Sequence, residues 1–129
     1  MNTLTKHPDS QILQGTWQVE TASLNGKTVE PVIGQQLTFK GDHFRIDKAG
    51  DRLYGGQYHL SNSNDPHHIE FMQTETEQMA GTWRGIYDIV GDQLTICDNA
   101  PDMTLPRPAD FAESETGNYI LITYNRQAV

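Results

Sequence analysis

Gln36-Leu37-Thr38-Phe39-Lys40-Gly41-Asp42-His43-Phe44-Arg45-Ile46-Asp47 is the stretch on which the fold turns. Apolar residues fall at every second position on both sides of Gly41-Asp42: Leu37 and Phe39 before it, Phe44 and Ile46 after it. A period of two is the repeat of a β-strand with one buried face. A glycine-aspartate pair between two such runs is a tight turn. The segment therefore predicts an antiparallel hairpin with four apolar side chains on one face.

The same texture continues outward in both directions. Upstream, Trp17-Gln18-Val19-Glu20-Thr21 alternates with the same period. Downstream, the turn Lys48-Ala49-Gly50-Asp51 leads into a strand from Arg52 to Leu60. The glycine pair Gly55-Gly56 inside that strand reads as a bulge or sharp bend of the kind barrel closure requires. Ser61 to Pro66 is a loop. His67 to Gln73, Thr82 to Val90 and Gln93 to Asp98 then alternate, with Ile69 and Phe71, Trp83 and Tyr87, and Leu94 and Ile96 on their apolar faces. After a Pro-rich loop from Asn99 to Glu115 comes a last strand, Asn118 to Arg126. Its inward set is either Tyr119, Leu121 and Thr123 or Ile120, Ile122 and Tyr124. About eight strands at this spacing predict an all-β sandwich or barrel. Only Pro8 to Gln14 has the character of a short helical turn.

Gly15-Thr16-Trp17 at the first strand and Arg126 at the last favour the barrel. Closure sets these strands side by side, and the guanidinium can lie across the indole face, a contact worth roughly 0.5–2 kcal/mol. The expectation is an antiparallel up-and-down β-barrel over residues 12–129, preceded by a tail at residues 1–11.

A chain of 129 residues suits one domain. Its formal charge of −8 disfavours nucleic acid and anionic membranes as partners and leaves room for a basic protein partner. Cys97 is the single cysteine, so no intramolecular disulfide can form. Together with an N-terminus that shows no apolar signal region, this points to a soluble protein in the cytoplasm. No apolar run approaches the ~18 residues of a membrane helix.

Several motifs occur in an order that resembles a known family. They are Leu13-Gln14-Gly15-Thr16-Trp17, Leu37-Thr38-Phe39 with Gly41-Asp42, Gly56-Gln57-Tyr58, Gly85 to Cys97, and Arg107-Pro108 followed by Phe111. Over residues 12–126 the chain resembles the bacterial lipocalin-like domains abundant in Planctomycetes. That resemblance implies a lipocalin-like barrel and carries no activity with it. Asp98-Asn99 departs from the pattern, which often has an apolar residue after the cysteine.

A barrel of about eight strands is either filled by side chains or holds one small ligand. Tyr58, Trp83 and Tyr87 are the preferred lining residues, with Phe39 and Phe71 as further aromatic wall and Arg107 as a loop-borne anion binder or cap. Gly15, Trp17 and Arg126 are assigned to closure. His59, His67 and His68 with Asp65 lack metal-ligand spacing, since adjacent His67 and His68 point to opposite faces of a strand. Cys97 has an adjacent carboxylate opposing thiolate formation and reads as structural. No catalytic motif and no cofactor fingerprint is present. The leading expectation is a lipocalin-like protein that binds a mainly apolar small molecule, with the Asn99–Glu115 loop as lid or rim. The alternatives are an immunity-type or inhibitor protein against a basic partner, and a barrel enzyme for isomerisation or cyclisation.

Overall fold

In the computed structural model, which describes residues 8–61 and 66–127, the 36–47 stretch is two paired strands. Leu37 lies opposite Ile46 and Phe39 opposite Phe44. The full order is a helix, α1 (Pro8–Leu13), then β1 (Gly15–Leu24), β2 (Lys27–Thr28), β3 (Gln36–Lys40), β4 (His43–Lys48), β5 (Asp51–Ser61), β6 (His67–Gln73), β7 (Gly81–Val90), β8 (Gln93–Asp98) and β9 (Ile120–Arg126). Two 3-10 turns, Glu30–Val32 and Phe111–Glu115, lie in the connections. The tail at residues 1–7, the loop at 62–65 with Asp65, and residues 128–129 lie outside the described residues. No helix of the described chain is long and apolar enough to cross a membrane.

From β3 to β9 each strand pairs antiparallel with the next, and β1 bonds to both β3 and β9. Eight strands thus close into an up-and-down barrel. β2 adds two residues to the far edge of β1, through Ser23 opposite Thr28 and Leu24 opposite Lys27. Two residues are too few to show a period, which is why β2 is absent from the sequence reading. β1 is long because it serves several neighbours. It pairs with β3 from Gly15 to Gln18 and with β9 from Trp17 to Leu24, with a bulge between Val19 and Thr21.

The bulge expected at Gly55-Gly56 sits elsewhere. The register shift between β4 and β5 falls between the pairs Ile46–Tyr54 and Asp47–Arg52, leaving Leu53 as the extra residue. The glycines serve a close approach instead. Gly56 has φ +150°, and a Cβ there would lie 1.9 Å from the Met72 carbonyl oxygen on β6. Alternation runs through the pair without a break, so Tyr54, Gly56, Tyr58 and Leu60 share the inward face.

The seam between first and last strands carries α1 with it. A six-residue helix has four C-terminal carbonyls without intrahelical partners and is far too short to persist alone. Here each carbonyl is met. Ser10 O accepts from Gln14 Nε2 at 2.9 Å and Gln11 O from the Gln14 amide at 3.4 Å. Ile12 O accepts from Arg126 Nη2 at 2.7 Å and Leu13 O from Trp17 Nε1 at 2.9 Å. The Arg126 guanidinium lies 4.2 Å from the centroid of the Trp17 ring, and its Nε reaches Asp92 at 3.2 Å. Positive charge at a helix C-terminus is also favoured by the helix dipole.

The barrel wall is not uniform. On β7, β8 and β9 the outward residues Ile86, Cys97 and Leu121 are also apolar, and Leu105, Phe111 and Tyr119 pack over them. The long connection after β8 therefore folds mostly against the outside of this wall, and only its first residues reach the end of the barrel. Of the two roles expected for it, lid or rim, its start at Ala100 takes the rim, while the rest does not cross the mouth as a lid. Asn99 holds the loop by accepting from the Arg84 amide (2.8 Å) and donating to Leu105 O (2.8 Å). Tyr119 Oη donates to Pro106 O at 2.9 Å.

Replacing Arg126 by alanine removes the ring contact and the donors to two carbonyls, Ile12 O in the last turn of α1 (2.7 Å) and Gln14 O just past it (3.3 Å). The expected loss is about 1–3 kcal/mol in urea unfolding. Arg126→Lys should recover only part of it, because an ammonium cannot stack on the indole and span two carbonyls together. An unchanged unfolding midpoint in Arg126→Ala would show that the seam closes without this side chain.

Candidate functional site

The two ends of the barrel interior differ. Near α1 the interior is filled and its polar atoms are committed. Tyr87 Oη donates to Asp9 at 2.6 Å, and burial above all, with Asp9 adding to it, pushes the phenol upward from its ordinary pKa. Tyr58 Oη donates to Gly41 O at 2.9 Å and accepts from Gln14 Nε2 at 3.1 Å. Phe39 packs edge-on against Tyr58 with ring centroids 4.7 Å apart. Phe39, Tyr58 and Tyr87, expected as ligand-lining residues, are thus placed in this filled end. α1 begins inside the stretch read as tail, and its Asp9 is part of the plug.

The opposite half opens into a cavity of about 100 Å³. Phe71 and Trp83 stand in its wall with Val19, Leu37, Ile46 and Ile122. Its rim comes from the turns at the end away from α1, through Val32, Gln35, Met79, Ala100 and Ile120. Of the six residues expected to line a ligand site, the structure brings Phe71 and Trp83 to the cavity.

Arg107 lies outside this space. Its guanidinium sits over the β6–β7 ladder, donating to Ile69 O (3.1 Å), Gly85 O (2.8 Å) and Glu70 (2.6 Å). Those bonds pin the outer loop to the wall and leave the side chain away from the mouth.

Two polar residues in the cavity wall were not singled out from the sequence. Asp98 follows Cys97 on β8, and alternation turns Cys97 outward and Asp98 inward. Gly85, directly across on β7, makes the room: a Cβ there would lie 2.7 Å from Asp98 Cβ. Asp98 is 4 % exposed, and its Oδ1 accepts from the Ala100 amide at 2.9 Å. Among the described residues no Lys, Arg or His forms an ion pair with it. Burial lifts its carboxyl to about 7, against the opposing pull of the Ala100 N–H. The sequence did hold a signal for this residue, in a glycine at mid-strand and an aspartate where an apolar residue was expected.

Tyr124 settles the face of β9, since Ile120, Ile122 and Tyr124 all line the cavity. It is buried, and its hydroxyl has no hydrogen-bond partner among the described residues. Desolvation first, then the nearby Asp98, raises its phenol above the ordinary value. A buried phenol normally finds a partner.

Gln73 shapes the rim. Its amide nitrogen donates to Thr76 O (2.9 Å) and Gln78 O (2.8 Å), and its Oε1 accepts from the amides of Gly55 and Glu75 at 3.3 and 3.0 Å. One buried side chain thereby folds the turn at 74–80. That turn ends on Met79, a non-glycine residue held at φ 59°. Such a backbone costs on the order of 1–3 kcal/mol and needs its surroundings to hold it. Trp83 Nε1 donates to Met79 O at 2.9 Å, and Tyr54 Oη to the Met79 sulfur at 3.3 Å.

Among the described residues no group of three or more His, Cys, Asp or Glu is placed to hold a metal ion. His67 packs against Tyr87 with centroids 5.5 Å apart, and His59 points to solvent. Cys97 is buried under the outer loop, where desolvation, then Asp98, Glu113 and Asp110, pushes its thiol up to about 12. That is the opposite of what a nucleophile needs.

The chain matches no protein-family model, no curated protein and no solved structure.

Asp98 makes a prediction about stability. Its carboxyl is raised in the folded state to about 7 from the ordinary aspartate value of 3.8. The folded chain then binds more protons than the unfolded one between those values, so this residue's contribution to stability falls as pH rises through that window. It is flat above about 8. At about 1.4 kcal/mol per unit, the loss is on the order of 4 kcal/mol at most. Asp98→Asn should therefore be more stable than the parent at about pH 8 and lose that advantage at about pH 5, read by urea unfolding. A difference that does not vary with pH would exclude a raised Asp98.

Proposed function

We propose that the barrel binds a small, mainly apolar molecule in the cavity between Phe71, Trp83 and Ile122. The observation that carries this reading is a space of about 100 Å³ kept open inside an otherwise filled interior. Protein cores pack at a density near 0.74, and unfilled apolar volume costs roughly 24 cal/mol per Å³. An empty cavity of this size forgoes on the order of 2 kcal/mol. A single larger side chain would recover that, and so would a ligand.

Size and chemistry narrow the class. An engineered apolar cavity of roughly 150 Å³ holds benzene. The present one, with its mouth, suits one ring or a short branched chain. Its walls are aromatic and aliphatic, and its polar groups are few, as in small-molecule sites generally. Met79 at the rim gives the entrance a side chain that adapts its shape readily. The motif order that resembles lipocalin-like domains agrees with this reading.

Toluene is a suitable first probe. It should shift the Trp83 indole N–H resonance and raise the melting temperature, by the equivalent of about 2.7 kcal/mol at a hundred times its Kd. Ala100→Leu, which fills the mouth, should weaken toluene at least about tenfold without lowering stability, since the added methyl groups occupy existing space. No response of the Trp83 resonance at saturating toluene, or equal binding in Ala100→Leu, would overturn the proposal.

A further inference from the structure

Two polar groups in the cavity are without a chemical complement. Asp98 has one hydrogen-bond donor, the Ala100 amide, for a carboxyl group that accepts about four when ionised. Tyr124 offers a buried hydroxyl with no partner among the described residues. The other polar side chains of the wall are Gln35 and Gln36 at the rim and Tyr54 and Trp83, whose hydroxyl and indole N–H are already committed to Met79. Buried carboxylates are ordinarily paired or multiply hydrogen-bonded. This one faces open volume instead.

We infer that the ligand is a small primary amine on an apolar body, its ammonium held by Asp98 and the Tyr124 hydroxyl and its body by Phe71 and Trp83. This rests on the ligand-binding reading of the same cavity. An ammonium carries three donors and no acceptor, which suits a carboxylate and a phenol oxygen set in an aromatic wall. The aromatic rings of Tyr54, Trp83 and Tyr124 in the wall are of the kind that attract a cation. An anionic ligand is disfavoured twice. Among the described residues no Lys, Arg or His lines the cavity, and the chain carries a formal charge of −8, which draws cations toward it and turns anions away.

The rival ligand is a neutral carbonyl compound. It would need Asp98 protonated, so that carboxylic acid and phenol both donate to one oxygen. The two cases differ in sign with pH. The other ionisable groups in the wall are the phenols of Tyr54 on β5 and Tyr124 on β9, and β7 contributes Gly85 opposite Asp98. Cys97, on the strand of Asp98 itself, faces the outer loop. Asp98 is therefore the wall group whose charge changes near neutrality.

The experiment compares benzylamine, benzyl alcohol, benzaldehyde and toluene by calorimetric titration of the intact protein, at about pH 6 and about pH 8. Benzylamine, protonated throughout, should bind roughly ten- to a hundredfold tighter than toluene at the higher pH, and its advantage should shrink at the lower. In Asp98→Asn the amine-to-toluene ratio should fall to near one, and in Tyr124→Phe it should fall part of the way. Should Asp98→Asn not fold, the pH dependence of the parent protein decides alone. Equal binding of amine and toluene, or a preference for benzaldehyde that grows toward low pH, overturns the cationic ligand and leaves the cavity reading standing. Failure of all four probes overturns both.

Discussion

A guanidinium set between an indole face and the end of a helix holds this barrel shut. Closing eight strands requires the first and last to meet across the whole length of the chain, a contact with a high entropic cost. Backbone pairing of β1 with β9 supplies the seam, but a hydrogen-bonded ladder alone does not choose where it stops. Arg126 and Trp17 fix that point. They face each other in the ladder, and the same two side chains satisfy the last carbonyls of α1. A six-residue helix that could not survive in isolation becomes the floor of the barrel. Trp17 is fully buried beneath it, and loss of a tryptophan in such a place costs roughly 3–5 kcal/mol. Against a typical total of 5–15 kcal/mol, that is enough to decide whether the chain folds.

The rest of the interior follows from having one solid end. The side chains of Tyr58, Tyr87 and Phe39 are spent on packing against the floor and the Gly41 turn. What remains toward the other end is closed by backbone turns rather than by a helix, and turns leave gaps that side chains must fill. Gln73 ties one of them down, and Asn99 ties the start of another. Gly85 yields space at the one position where a carboxyl turns inward. The loop after β8 then covers the outer face of β7, β8 and β9, so the wall that carries Asp98 and Tyr124 is packed on both sides.

Much of the fold was legible because a β-strand prints its period directly on the sequence. The hairpin at 36–47 and the inward residues of β6, β7 and β8 could be read at sight. Trp17 and Arg126 were legible as a pair because few other reasons bring those residue types to the two ends of a chain. The site was much less legible, for a geometric reason. Alternation says which face a residue occupies but not its height along the barrel axis. Tyr58, Tyr87 and Trp83 all face inward, yet only Trp83 sits at the height of the cavity. Height depends on strand register and on the bulges at Glu20 and Leu53, neither marked by a glycine. Asp98 was hidden differently: alternation puts it on the face of Leu94 and Ile96, but a charged residue at the end of a strand reads as the start of a turn, and Gly85 across from it shows that room was made for it inside.

The position of the floor also governs what the molecule can be joined to. Gln127 bonds to Thr16, and Arg126 to Ile12, so both ends of the described chain leave from the same pole. The cavity opens at the other pole, a ten-residue strand away, or about 30 Å along the chain. A domain or surface tethered at either terminus would stand behind the barrel and leave its entrance clear.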